Sequence, residues 1–234
     1  MTIPKGVKIA IVVGAILVGI LGVSFAIKNR KAFSSLNPEK EDAALSEKFN
    51  FHLIPSGLGN YRSAQITADE LPGVIKKYKI KHIIRLNGDG NDSKHRSSFP
   101  ETPRAVEKKI CEDNGCMYHQ VDAHKGYVEG RGYVGTLNDA LPILAKGNTL
   151  VHCAHGADRT GGNVGGYFYS SKVNPALTTT EAIWQYTTQY NGWNRSVRNT
   201  PKSFESGGYL KQAQKFGVRD MDHAKELAIK YKKR

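Results

Sequence analysis

The sequence predicts an α/β fold: a parallel-rich central sheet flanked by helices on both faces, preceded by an N-terminal hydrophobic helix. Three observations point there. β-prone runs near 81–86, 116–121 and 148–152 alternate with segments bearing helix-start signals, and such alternation implies parallel strands covered on both sides. The chain has 234 residues, enough to bury a full core without disulfides or metals. A separate uncharged run, Ile9 to Ile27, is nineteen residues long.

That run has the length of a helix spanning a hydrocarbon layer of ~30 Å. Lys5 and Lys8 precede it, and Lys28, Arg30 and Lys31 follow. A buried core helix would show a polar face, and this run has none. Ser24-Phe25-Ala26 offers the small residues a signal peptidase requires, yet the run exceeds a usual signal core, so residues 1–31 read as a signal peptide or a retained membrane anchor. With the α-amino group counted, three positive charges flank each end, and the positive-inside rule does not orient the segment. Because an N-terminal segment followed by a whole domain more often sends that domain across, the expectation is a domain outside the cytoplasm, exported or membrane-anchored. Residues 32–48, with Ser34-Ser35, Asn37-Pro38 and a run of charges, read as a linker, and the domain is expected over 49–234.

Within the domain, Thr67-Ala68-Asp69-Glu70 has the capping-box form, and Thr102-Pro103 precedes a helical pattern from Val106 to Cys111. The strand at 148–152 should lead through a loop into a helix over Thr160–Lys172. A further capping box, Thr178 to Glu181, opens a helix through Tyr190. Residues 191–208, rich in Gly, Asn and Ser, read as a long irregular stretch, and the run from Lys225 to Arg234 as an amphipathic basic helix.

Composition narrows the function classes. There is no internal repeat, and the three cysteines show no zinc-ligand spacing. Cys111 and Cys116 stand where they either pair in an oxidising compartment or pack as two reduced thiols. The net charge is +13, of which residues 1–31 hold five positive charges and no acid, so the remainder carries +8. A basic domain favours polyanionic ligands.

The chemistry concentrates in Val151-His152-Cys153-Ala154-His155-Gly156-Ala157-Asp158-Arg159-Thr160-Gly161-Gly162. A loop between a buried strand and a helix N-terminus turns its backbone N–H groups, those of Ala154, His155, Gly156, Ala157 and Asp158 among them, toward one point, where the aligned dipoles favour an anion. Cys153 would sit at the floor of that cradle, and the dipole, the amides and Arg159 all favour its thiolate. Arg159 adds a planar fork able to hold two oxygens of one phosphoryl group. Thr160 brings a hydroxyl to the sulfur, and His152 orients the loop. A merely buried cysteine would explain neither the glycine nor the arginine and threonine that follow.

At these residues the chain resembles the protein tyrosine phosphatase superfamily, whose signature is His-Cys, five residues, Arg, Ser/Thr. The form His-Cys-x-x-Gly-x-Asp-Arg-Thr-Gly is similar to compact bacterial dual-specificity phosphatases, and related loops occur in phytases of the tyrosine phosphatase type. The resemblance spans residues 49 to about 190 and implies a dual-specificity phosphatase-like fold with no metal and no cofactor. It also implies an aspartate general acid roughly thirty residues before the cysteine. Asp122 stands 31 positions before Cys153, after the β-prone run Met117–Val121. It would emerge at the strand edge where open α/β sheets bind ligands, although a strand-end aspartate can also simply cap a turn.

His124 and Lys125 follow on the same segment, within reach of a phosphorylated substrate or as plain solvated charges. His155 is expected at the pocket rim, and Asp158 beside the arginine. Asn60-Tyr61-Arg62-Ser63-Ala64-Gln65 resembles the Tyr-Arg-Ser-x-Gln-Pro element of the bacterial phosphatases, with Ile66 in place of proline, making Arg62 either a second phosphate clamp or one half of a structural salt bridge. His82-Ile83-Ile84-Arg85-Leu86-Asn87 inverts the family's Asn-Leu-Arg strand end, and no role is carried to Arg85.

The resulting expectation is a cysteine-dependent phosphomonoester hydrolase working through a cysteinyl phosphate. Its basic charge and phytase-like loop favour inositol polyphosphates, with tyrosine or dual-specificity phosphoprotein hydrolysis as the alternative. RNA 5′-triphosphatase, a non-catalytic anion-binding pseudophosphatase and a sulfurtransferase complete the set. Expected partners are a phosphorylated small molecule or phosphoprotein, and a membrane through residues 9–27 if that segment is retained; nucleic acid is not expected.

Overall fold

A computed structural model describes residues 42–87, 102–121, 135–190, 193–206 and 208–232. The apolar segment 9–27, and with it the N-terminal hydrophobic helix, lies outside the described residues. Among the described residues no helix is long and apolar enough to cross a membrane. Glu41–Arg234 forms one compact unit.

The unit opens with α1 (Ala43–Phe49), whose N-cap Asp42 accepts a hydrogen bond from the Leu45 amide at 3.2 Å. Phe49, at the expected start of the domain, is buried, and Leu45 packs on the core, because the helix presents its two large apolar side chains on one side. Five strands follow: β1 (His52–Ile54), β2 (Asn60–Ser63), β3 (His82–Arg85), β4 (Met117–Gln120) and β5 (Thr149–His152). They form one sheet in the order β1-β2-β5-β3-β4. The β2–β5, β5–β3 and β3–β4 pairs are parallel and β1–β2 is antiparallel, so the sheet is mixed. The strands expected near 81–86, 116–121 and 148–152 are β3, β4 and β5. β1 and β2 escape a periodicity search because they lie in a stretch broken by Pro55, Gly57 and Gly59.

One sheet face packs against α1, α2 (Leu71–Tyr78) and α3 (Arg104–Asp113), through Phe49, Leu71, Val74, Ile75, Ile83, Cys111 and Leu150. The opposite side belongs to α4 (Gly135–Leu144), α5 (Asp158–Ser171) and α6 (Thr180–Tyr190). Helices therefore flank both faces, as expected. α5 begins two residues before Thr160. Neither proposed capping box caps in the expected way: the Thr67 hydroxyl donates to the Glu70 carboxylate at 2.7 Å, no side chain caps α2, and in α6 Thr179 rather than Thr178 accepts from the Ala182 amide. Thr102 likewise leaves α3 uncapped and donates its hydroxyl to Ile66 O.

The stretch expected to be irregular, 191–208, contains α7 (Trp193–Asn199) and α8 (Pro201–Ser206). Its polar composition hides Trp193, Val197 and Phe204, which are buried with Trp184 and Phe216 in an aromatic layer whose ring centroids lie 5.6–6.4 Å apart. α9 (Tyr209–Gln214) and α10 (Met221–Lys230) complete the chain. The basic C-terminal helix starts earlier than Lys225: Asp220 caps it on the His223 amide at 2.8 Å, and Ala224, Leu227 and Ala228 anchor it. Cys111 and Cys116 are both reduced and buried. A hydrogen bond with Cys116 and burial push the Cys111 thiol up, while the same hydrogen bond lowers Cys116.

Candidate active site

The sheet register decides which side chains can meet at the strand ends. Arg62, Val151 and Ile84 lie side by side across β2, β5 and β3, as do Ser63, His152 and Arg85 one residue later. Successive strand residues point to opposite faces, so His152 and Arg85 share the face of Leu150 and Ile83, above α3. Arg62 points to the other face, toward α6. Cys153 follows directly, at the C-terminal edge of the central strand.

From Cys153 the chain turns through Ala154–Ala157 into α5. Cys153 and Ala154 are buried, His155 is exposed, and Ala157, Asp158 and Arg159 are half-buried. No side chain caps the N-terminus of α5, and the amides of a helix's first turn are the groups an anion at such a loop meets. Arg159 stands in that same turn, and its carbonyl is held by Asn163 Nδ2 at 2.9 Å. Thr160 is fully buried, and its hydroxyl has no hydrogen-bond partner among the described residues. His152, Cys153, Arg159 and Thr160 thus gather around one loop with its amides.

The loop is tied from several sides. Gln65 N donates to Ala154 O at 3.2 Å. Asn50 Nδ2 lies within hydrogen-bond distance of three carbonyls, His155 O at 3.3 Å, Gly156 O at 3.2 Å and Tyr190 O at 3.1 Å. Gly156 has φ +64° and lies flat against Ser63 and Ala64, where a Cβ would come within 2.5 Å of Ala64 N.

Arg62, weighed as a phosphate clamp or a salt bridge, shows no ion pair among the described residues, and its Nε and Nη1 are buried without a hydrogen-bond partner there. It is fully buried, donates Nη2 to Gly156 O at 2.6 Å, and lies over the rings of Tyr190 and Tyr186 at 5.3 and 6.0 Å. A guanidinium in that position braces the loop from behind. Asp122, His124 and Lys125 lie outside the described residues. Val121, just before them, is anchored by its amide to Arg85 O at 3.0 Å. Two further aspartates, Asp113 and Asp139, lie exposed on helices, Asp113 at the end of α3 with Lys109 and Asp139 on α4.

Sequence reasoning missed the charged cluster under the loop. Glu107 of α3, 1% exposed, sets Oε2 at 2.6 Å from Arg85 Nη1 and Oε1 at 2.7 Å from His152 Nε2. Arg85 Nη1 also donates to Gln65 Oε1 at 2.9 Å and Thr102 O at 3.0 Å, and Asn87 Nδ2 joins Gln65 Oε1 at 3.0 Å. Burial by itself would raise the Glu107 carboxyl, but His152 and Arg85 outweigh it and hold it down at about 2. Removing one partner of such a buried pair typically costs about 3–5 kcal/mol. The signal available in sequence was an acid four positions before Cys111, on the stripe of α3 that faces the core.

No family model matches the chain, and no curated protein matches it. Among solved structures it is similar to P. aeruginosa TpbA at 14% identity, over 80% of this chain and 93% of that one, with a TM-score of 0.45. It is similar to the core catalytic domain of the PP-IP phosphatase SIW14 from S. cerevisiae in complex with citrate at 19% identity, over 77% and 91%, with a TM-score of 0.45. A DUF442 protein of Shewanella putrefaciens CN-32 is similar at 15% identity, over 68% and 87%, with a TM-score of 0.47.

Proposed function

We propose that this chain is a cysteine-dependent phosphomonoester hydrolase, acting on inositol polyphosphates. One observation supports this most: a buried cysteine at the end of the central strand, followed by a tied loop, an uncapped helix N-terminus and an arginine in its first turn. Such a site offers a nucleophile below and fixed positive charge around a single tetrahedral anion. In the proposed reaction the Cys153 thiolate attacks phosphorus as the bond to the leaving oxygen breaks, and Asp122 gives that oxygen its proton. Arg159 and the loop amides hold the three equatorial oxygens. The Asp122 carboxylate then takes a proton from water, whose oxygen attacks phosphorus and releases phosphate and the Cys153 thiolate. No metal is called for, because Arg159 and the amides supply the charge and a thiolate needs no metal-bound water.

The net charge supports a substrate with several phosphates. The exposed His155, and His124 and Lys125 after the acid, are the proposed outer contacts. A phosphate-release panel of inositol phosphates, phosphopeptides and 5′-triphosphate RNA tests the substrate class, and preference for phosphotyrosine peptides would move the assignment to phosphoproteins. Asp122→Asn tests the acid: turnover of alkyl phosphates is expected to fall by roughly two to four orders of magnitude, and that of aryl esters with acidic leaving groups much less. Equal losses on both classes would remove Asp122 from the chemistry.

We also propose that residues 1–31 carry the domain to the membrane and out of the cytoplasm. A reporter active only outside the cytoplasm, fused after residue 48, is expected to give signal; a silent, well-expressed fusion would reverse the orientation.

A further inference from the structure

The cluster under the loop touches the chain on both sides of the nucleophile. Glu107 Oε1 meets the imidazole of His152, the residue before Cys153. Gln65 holds Ala154, the residue after it, by a backbone bond at 3.2 Å, while its side-chain oxygen accepts from Arg85 and its Nε2 lies 3.3 Å from Glu107 Oε1. Glu107 is therefore a carboxylate in contact with both supports. It comes from α3 and is nearly sealed from water. An apolar side chain would fill the same space more cheaply. Keeping a charge there fixes the direction of the imidazole and of the Gln65 amide, and with them the two ends of the short segment that presents Cys153.

We propose that Glu107 is a positioning residue: through His152 and Gln65 it sets the orientation of Cys153 within its anion cradle. This assignment builds on the phosphatase reading, but its test does not depend on turnover. Iodoacetate and iodoacetamide both alkylate a thiolate, forming an S–C bond as the C–I bond breaks and iodide leaves. Only iodoacetate is an anion that the cradle would draw in. The ratio of the two rates at Cys153, followed by peptide mass spectrometry so that Cys111 and Cys116 do not contribute, thus measures how well cradle and sulfur are aligned.

Glu107→Gln is expected to lower that ratio about tenfold and to reduce kcat more than it raises KM, with Glu107→Asp recovering part of the loss. Ile75→Ala, which weakens the α2 core away from the cluster, is expected to leave the ratio unchanged. A folded Glu107→Gln protein with the wild-type ratio would overturn the assignment, as would an equal drop in Ile75→Ala. If Glu107→Gln does not fold, Gln65→Met removes the bridging amide with the ion pair in place, and it must still lower the ratio; an unchanged ratio there overturns the assignment as well. Wild-type protein that releases no phosphate from any substrate would instead defeat the phosphatase reading and leave the ratio comparison standing.

Discussion

Cys153→Ser is expected to abolish turnover, to below about one part in a thousand of the wild-type rate, while leaving the fold and anion binding intact. Serine is close to cysteine in volume, so the buried floor of the loop stays filled. Its oxygen remains protonated, whereas sulfur attacks as a thiolate. Phosphate release and vanadate or phosphate titration of the variant measure the two halves of this expectation. Acid quench of the wild-type enzyme during turnover is expected to trap phosphate on Cys153. Substantial turnover by the serine variant would end the proposed mechanism.

The second large effect is expected at Gly156→Ala. A methyl group there meets the Ser63 carbonyl carbon and comes within 2.5 Å of Ala64 N, and both are backbone atoms that no rotamer change can move. The position is also left-handed, at φ +64°, which a β-carbon disfavours. Overpacking and strain together are expected to cost about 2–4 kcal/mol, or roughly 5–15 °C in Tm for a domain of this size. The loss of activity goes further. Gly156 O is the acceptor for Arg62 and Asn50, so pushing the loop outward breaks the braces on the segment that follows Cys153. Thermal melts and kcat on an aryl phosphate check both parts, and a variant with wild-type values of each would show that the loop has room the structure does not.

The parts of this protein legible in its sequence share a property: their signal is local. The loop around Cys153 is contiguous in sequence, and β3, β4 and β5 are β-prone runs. The helix ends proved less readable. Thr67 and Glu70 have capping spacing, yet they bond each other, with Lys48 of α1 on the same carboxylate at 2.8 Å. No local pattern reports a partner 22 residues away. The same limit explains Arg62 and Arg85. Each is an arginine in a short strand, and whether it faces substrate, solvent or a buried carboxylate depends on register and on a helix far along the chain. Glu107 was passed over because an acid in an amphipathic helix is ordinarily assigned to water. Its position on the inward stripe had meaning only once His152 and Arg85 were known to share the face above it.

The order of strands has a mechanical side. β5, which leads into Cys153, is bonded on both edges by β2 and β3, whereas β4 is bonded on one edge only among the described residues. A strand held on both sides gives up its amide protons to solvent only when the whole domain opens, while an outer strand can fray alone at lower cost. The two strands are thus parts of the sheet with different local stability. The Cys153 sulfur is mounted at the end of a strand held on both sides, so the outer strand can yield while the thiol stays where it is.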